Sequence, residues 1–229
     1  MAIADAASLT TLIAGVGGQG VVLAGGVLAQ AALLAGYDVR QSEMHGLSQR
    51  FGSVSCQIRI GRGVYSPHRG HGQIDLLVSL EGYEAFKQLP FLRPQGSALV
   101  NRLWRKPIAV RPSAGAGPGE RDDHRVEWFS GTELTQQAEC PRSLNFFMLG
   151  VLSTRLEIPE DCWSESIEGA TSRASREVNQ EMFSAGRRVA ARSESALPRR
   201  PFFGSVGTAI AESEEIGHSV AGSFHRPPG

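Results

Sequence analysis

The chain has 229 residues, 41% of them hydrophobic, which is enough for one buried core with a further segment outside it. Its 23 basic and 23 acidic residues give a formal net charge of zero, and the basic residues are scattered, so the composition argues against a nucleic-acid partner. The three cysteines, Cys56, Cys140 and Cys162, form no Cys-x-x-Cys pair, so we expect neither a metal nor an iron–sulfur cluster on this chain.

The longest apolar run, residues 21–35, contains Gly25, Gly26 and Gln30 and is shorter than the roughly 20 residues that cross a bilayer. We therefore interpret it as a buried helix and expect no membrane span. The chain starts at Met1 without a basic and apolar leader, and its cysteines are few and odd in number. These features predict a cytoplasmic protein.

Strand and helix patterns alternate along the amino-terminal part of the chain. The predicted elements are, in chain order, strand 10–14, helix 19–35, strand 37–41, strand 53–60, strand 74–80, helix 83–89, strand 97–101 and strand 126–129. The strand at 53–60 alternates strictly, with Val54, Cys56 and Ile58 on one face, which predicts that its other face is exposed. Residues 64–65 are predicted to add a short hairpin arm.

The pattern beyond residue 131 is helical, with predicted helices at 143–156, after Pro159 and at 175–191. In the last of these the inward side chains are predicted to be Val178, Met182, Phe183 and Ala185. The fold class is therefore α/β: an open, mostly parallel Rossmann-like sheet with helices on both faces and a C-terminal helical segment. Residues 105–123 are predicted to be a loop with one strand near 108–110. Residues 1–195 form the predicted domain, and residues 196–229 a disordered or loosely docked tail.

Residues 15–20, Gly-Val-Gly-Gly-Gln-Gly, fit the pattern Gly-x-Gly-x-x-Gly between a predicted strand and a predicted helix. The first glycine permits the tight turn, the second lets the backbone approach a phosphate, and the third lets helix and strand pack, while N–H groups at the helix start attract an anion. This predicts that Gly15, Gly17, Gly18, Gln19 and Gly20 bind a cofactor. The alternative is that the glycines serve only backbone geometry and packing.

A nicotinamide dinucleotide needs an acidic residue at the end of the second strand to bind its ribose. Asp38 lies early in that strand and Glu43 slightly late, whereas Arg40 would suit a 2′-phosphate. The spacing therefore leaves a dinucleotide site open.

The polar loop predicted at 42–52 holds Glu43, His45, Ser48, Gln49 and Arg50 at the carboxyl edge of the sheet, where ligands bind in open α/β folds. His45 can transfer a proton, and Arg50 can hold a carboxylate or phosphate through two hydrogen bonds. The alternative is a solvated loop in which Glu43 pairs with Arg50. The residue types favour neither interpretation.

The ordered blocks of this sequence resemble the gamma-type subunits of the 2-oxoacid:ferredoxin oxidoreductases, and most of all the small, or beta, subunits of indolepyruvate:ferredoxin oxidoreductases. The blocks are GVGGQG, SEMHGLSQRFGSVSCQIRIG, IDLLVSLEGYEAF, LVN, SLNFFMLGVLS and EVNQEMFSAGRR. The resemblance implies the oxidative decarboxylation of an aryl 2-oxoacid such as indolepyruvate, with coenzyme A, to an acyl-CoA and CO2. It implies that thiamine diphosphate and [4Fe-4S] clusters belong to a large (alpha) partner subunit, that ferredoxin accepts the electrons, and that this chain alone is inactive.

The resemblance also implies a set of site residues. On this chain the catalytic candidates are Glu43, His45 and Arg50. The cofactor-binding candidates add Gln49 and Ser53 to the glycine turn. The matching positions also include Gly46 and Gly52, but Phe51 stands where the family usually has a glycine, which predicts a reshaped loop and an altered substrate range.

Two other functions remain open on the sequence. The glycine turn suits a free-standing NAD(P)-binding Rossmann reductase, although no catalytic domain for one is identifiable. The same turn suits a non-catalytic nucleotide-binding or scaffold subunit.

Overall fold

The computed structural model of the chain describes residues 8–45, 52–104 and 123–193. Its strands are β1 (Ser8–Val16), β2 (Asp38–His45), β3 (Ser53–Gly61), β4 (Ile74–Ser79), β5 (Leu92–Asn101) and β6 (Val126–Phe129). Its α-helices are α1 (Val21–Leu34), α2 (Gly82–Gln88), α3 (Gly131–Gln137), α4 (Leu144–Ser153), α5 (Glu160–Ala170) and α6 (Arg176–Arg192). Short 3-10 helices span Leu89–Phe91 and Pro141–Ser143.

The six strands form one sheet in the order β2-β3-β1-β4-β5-β6. β3 pairs antiparallel with both β1 and β2, whereas β1, β4, β5 and β6 pair parallel to one another. Five strands therefore run in one direction, and β3 alone runs against them. This confirms the predicted open, mostly parallel sheet, and it brings the carboxyl ends of β1, β2 and β4 to one edge.

Helices cover both faces of the sheet, as predicted. Helix α1 packs with α4, α5 and α6 on one face, around fully buried side chains such as Ile13, Phe147 and Trp163. Helix α2 covers the other face, where Ala85 joins Leu12 and Leu77 in a smaller cluster. The C-terminal helices are thus part of the main core. No helix in the described ranges is both long and apolar enough to span a membrane.

Strand β3 corrects the prediction of an exposed face. Ser55, Gln57 and Arg59 alternate with the apolar residues as expected, yet each is at most 5% exposed. The segment after β3 covers them: Arg69 N–H donates to Gln57 Oε1 at 2.9 Å, and Arg59 Nη1 donates to Ser66 O at 3.1 Å. Polar residues are tolerated under this cover because they are hydrogen-bonded there.

Other boundaries also differ from the predictions. β2 continues through Glu43 to His45, within the predicted loop, because a strand at the sheet edge can carry polar side chains into solvent. Val64 and Tyr65 form no hairpin strand, and Val178, predicted to point inward, is 43% exposed. The predicted strand near 108–110 and the predicted tail at 196–229 lie outside the described residues, so the domain boundary stays a prediction.

Candidate functional site

The glycine turn, residues 15–20, joins the carboxyl end of β1 to α1. Gly20 has φ +79°, and a Cβ there would lie 2.6 Å from Asn145 Nδ2 of α4. At Gly15 a Cβ would lie 2.7 Å from Gln19 Oε1 and 2.9 Å from Val21 Cγ2. Backbone geometry and close packing therefore require glycine at both positions. The predicted contact with a cofactor phosphate stays a prediction.

Gln19 closes the turn with its own side chain. Its Oε1 accepts a hydrogen bond from the Val16 N–H at 2.7 Å, and its backbone N–H donates to Val16 O at 3.0 Å. The Val16 N–H is thereby used within the turn. The Gln19 Nε2 atom is buried and has no hydrogen-bond partner among the described residues.

The two sequence blocks that carry the candidate residues meet at the carboxyl edge of the sheet. The Gly17 N–H donates to Gly52 O at 2.8 Å, and Val16 pairs with Ser53 in the ladder between β1 and β3. On the other side of β3, His45 pairs with Val54. Residues more than 30 positions apart thus form one continuous edge, which the parallel directions of β1 and β2 had predicted.

A cleft of about 450 Å³ opens at this edge. It is lined by the glycine turn, the first turn of α1 and Val54 of β3. Since Val54 is the ladder partner of His45, the backbone of His45 lies beside the wall of the cleft. The turn, the cleft and the end of β2 together form the candidate site.

Glu43 lies on β2 opposite Cys56 of β3. Its side chain is exposed, and Gln41 Nε2 donates to its Oε1 at 3.2 Å. Cys56 is fully buried against α1, and burial, with a smaller contribution from the Glu43 carboxylate, raises the pKa of its thiol to about 12. Cys56 is therefore a packed side chain and not a nucleophile.

We expect Cys56 to react with a disulfide reagent near pH 8 only after unfolding, because a buried thiol with a raised pKa holds almost no thiolate there. Counting reactive thiols in native and denatured protein measures this. Cys56→Ala should remove one thiol from the denatured count and none from the native count; a loss from the native count would contradict the prediction. Since burial holds the pKa of the folded thiol above the ordinary value of 9.0, the free energy of unfolding should also fall as the pH rises above about 9.

Ser53, a predicted cofactor-binding residue, faces α2. Its hydroxyl donates to Oε2 of Glu84, a side chain that is buried in the first turn of α2. Val54, the next residue, lines the cleft, and successive side chains of a strand point to opposite faces. The Ser53 side chain therefore lies on the face of the sheet away from the cleft wall. Glu84 was not among the site residues predicted from the sequence. A glutamate in the first turn of a helix is usually exposed to solvent, and no sequence pattern marks this one as buried.

Asp38 does not lie where a dinucleotide ribose would need it. It is the first residue of β2, at the edge of the sheet opposite the glycine turn, and its Oδ2 accepts a hydrogen bond from the Gly63 N–H at 2.6 Å. Arg40 donates to the neighbouring Val39 carbonyl. Of the three charged residues considered for this role, only Glu43 lies near the carboxyl end of β2.

The loop residues of the second block, Gly46, Gln49, Arg50 and Phe51, lie outside the described residues, as does the side chain of His45. Their predicted roles stay predictions. Asn145 is 2% exposed and its Nδ2 donates to Gly20 O at 3.4 Å, so it joins α4 to the glycine turn. Within 8–45, 52–104 and 123–193 no three His, Cys, Asp or Glu side chains are grouped to hold a metal.

A family model described as pyruvate ferredoxin/flavodoxin oxidoreductase matches residues 10–189. The chain is 38% identical over 130 residues to the indolepyruvate oxidoreductase subunit IorB of Pyrococcus horikoshii, across 56% of this chain and 64% of that protein. It is 32% identical over 190 residues to the protein of the same name from Thermococcus kodakarensis, across 78% of this chain and 94% of that one.

Two solved structures share the fold. The 2-oxoglutarate:ferredoxin oxidoreductase of Magnetococcus marinus, with 2-oxoglutarate, coenzyme A and succinyl-CoA bound, aligns with a TM-score of 0.65 at 21% identity, over 86% of this chain and 33% of that chain. The gamma subunit of a keto/oxoacid ferredoxin oxidoreductase of Geobacter sulfurreducens aligns with a TM-score of 0.61 at 22% identity, over 80% of this chain and 98% of that chain. The alignments thus span nearly all of the second protein and about a third of the first.

Proposed function

The chain belongs to the pyruvate ferredoxin/flavodoxin oxidoreductase family, and we propose that it is the small subunit of a heteromeric 2-oxoacid:ferredoxin oxidoreductase. The observation that carries the proposal is the match over residues 10–189 together with two relatives that are named as indolepyruvate oxidoreductase subunits. The proposed substrate is an aryl 2-oxoacid of the indolepyruvate type. The proposed products are an acyl-CoA and CO2, with ferredoxin as the electron acceptor.

The partner in this proposal is a large subunit, whose thiamine diphosphate would supply the decarboxylation chemistry and whose [4Fe-4S] clusters would carry the electrons. This chain would contribute the edge formed by the glycine turn and the end of β2. His45 would move a proton and Arg50 would hold a carboxylate or phosphate, with Glu43 as the third catalytic candidate. The apolar cleft at this edge, about 450 Å³ in volume, would shape the approach of the 2-oxoacid or of coenzyme A.

Dinucleotide binding by the isolated chain is the alternative that the glycine turn favours. Gly18 and Gly20 have φ of +95° and +79°, as a tight turn into a helix requires. However, the Asp38 carboxylate is bound to the Gly63 N–H at the opposite edge of the sheet, where it cannot reach a ribose beside the turn. Dinucleotide binding is therefore the second candidate function.

Co-expression with the large-subunit gene of the same organism tests the proposal. A tag on this chain should recover both subunits under anaerobic conditions, and the complex should reduce a viologen dye with indolepyruvate in a CoA-dependent reaction. The isolated chain, assayed in parallel, should show no turnover. Failure of the two chains to associate, or full turnover by this chain alone, would overturn the proposal, and saturable NADH or NADPH binding by the isolated chain would favour the dinucleotide alternative.

A further inference from the structure

Glu84 is a buried carboxylate with two partners. The residue is 3% exposed, although glutamate is among the residues least often buried. The Ser53 hydroxyl donates to Oε2, and Lys87 Nζ lies 2.5 Å from Oε1. The Lys87 side chain is half-exposed and gives the buried charge a cation that remains in contact with water.

Glu84 is not needed to cap its own helix, and within α2 its carboxylate pairs only with Lys87, one turn away. Glu81 already caps α2: its Oε1 accepts from the Glu84 N–H at 2.6 Å and its Oε2 from the Tyr83 N–H at 3.1 Å. The Glu84 side chain instead reaches Ser53, which is 31 residues away in the sequence and begins β3. The bond therefore joins α2 to the start of β3, across the end of β1, which lies between β3 and β4 in the sheet.

Residues 52–53 are consequently held from two sides. The Gly17 N–H binds Gly52 O at 2.8 Å, and Glu84 binds the Ser53 hydroxyl. Because the Ser53 proton is donated to a carboxylate, the hydroxyl can offer only acceptor lone pairs to any other group. The bond between Ser53 and Glu84, which we call the anchor, therefore fixes the start of β3 at the carboxyl edge of the sheet. The Ser53 hydroxyl is poorly suited to donate a hydrogen bond to a phosphate.

We propose that Glu84 is a positioning residue of the candidate site: through Ser53 it fixes the point at which the chain returns to the sheet after the segment that carries Arg50. The proposal rests on the proposed function for the part that concerns turnover. It assigns no contact with substrate to Glu84. Lys87 pairs with Oε1 and leaves Oε2 to accept from the Ser53 hydroxyl.

Hydrogen exchange on the full chain tests the anchor without any activity. In Glu84→Ala the amides of residues 52–56 should exchange about tenfold faster, because a lost buried hydrogen bond lowers the free energy of local opening. Ser53→Ala should act on the same peptide, and Glu84→Gln should have a smaller effect, because a neutral amide oxygen still accepts from Ser53. Glu177→Ala is the matched control, since Glu177 is an exposed glutamate in the first turn of α6.

Unchanged exchange over 52–56 in both Glu84→Ala and Ser53→Ala would overturn the proposal. A uniform increase over the whole chain would also overturn it, because that result would mean general destabilisation. If Glu84→Ala fails to fold, Glu84→Gln and Ser53→Ala decide the question alone.

In the reconstituted complex, Ser53→Ala and Glu84→Ala should lower kcat about tenfold while leaving affinity for the large subunit unchanged. Glu84→Gln and Ser53→Thr, which keep an acceptor and a hydroxyl respectively, should retain most of the wild-type kcat. If kcat per assembled complex in Ser53→Ala and Glu84→Ala equals that of the wild type, Glu84 only stabilises the fold, and its proposed role in positioning the site is wrong. If the wild-type chain does not associate with the large subunit, the proposed function fails, whereas the exchange experiment still decides the anchor.

Discussion

Replacing Gly150 by alanine is expected to destabilise the chain by about 3 kcal/mol or more, because α4 and α6 touch through their backbones at this point. A Cβ at position 150 would lie 2.0 Å from the Phe183 carbonyl oxygen, and one at Gly186 would lie 2.0 Å from the Phe147 carbonyl oxygen. Backbone atoms cannot rotate away as a side chain can. The helices would have to separate, which would loosen the packing of Phe147 and Phe183 in the main core.

Urea unfolding followed by circular dichroism measures this change. Gly26→Ala is the matched control, since Gly26 also lies within a helix, in α1, and has no atom within 4 Å of its Cβ position. Alanine there should be neutral or stabilising by about 0.5–1 kcal/mol. Gly150→Ala and Gly186→Ala should combine less than additively, because one separation of the helices accommodates both methyl groups. A Gly150→Ala variant as stable as the wild type would contradict the close contact.

The second large effect is expected on turnover. In the reconstituted complex His45→Ala should lower kcat by about 100-fold, the range typical for loss of a general acid or base. The structural basis is the ladder: His45 pairs with Val54, which lines the cleft, so its backbone lies at the edge where the glycine turn and β3 meet. An unperturbed imidazole changes charge near neutral pH and can both accept and donate a proton.

Arg50→Ala should act differently, mainly by raising KM for the 2-oxoacid or for coenzyme A, and Arg50→Lys should restore little because it cannot form two parallel hydrogen bonds. Steady-state kinetics on the complex separates the two effects. His68→Ala is the control, because His68 is exposed on the segment that covers the opposite face of β3. Full turnover in His45→Ala would remove the proton-transfer role and favour a scaffold subunit.

Local patterns in the sequence were sufficient for the central strands and for the helix that follows the glycine turn. The apolar runs of β1 and β4 predict strands that are buried on both faces, and the largely apolar run of α1 predicts a helix, which buries one side while Val22, Leu23 and Leu33 remain exposed. The glycine pattern likewise predicts a tight turn between β1 and α1, since glycine is the residue that adopts φ values such as +95° and +79° without strain. The sequence also indicates which edge carries the candidate site, because parallel strands end together.

Contacts between distant segments required the tertiary structure. The covered face of β3, the bond between Ser53 and Glu84, and the touching backbones at Gly150 and Gly186 each join residues more than ten positions apart. Hydrophobic periodicity describes how one segment divides between core and solvent, and it carries no information on which other segment covers its polar side. By itself the sequence determined the α/β architecture and the edge at which the candidate site is predicted. Only packing decided which polar side chains are buried and what they hold in position, because a buried carboxylate such as Glu84 must be paired, and its partner Ser53 comes from a distant part of the chain.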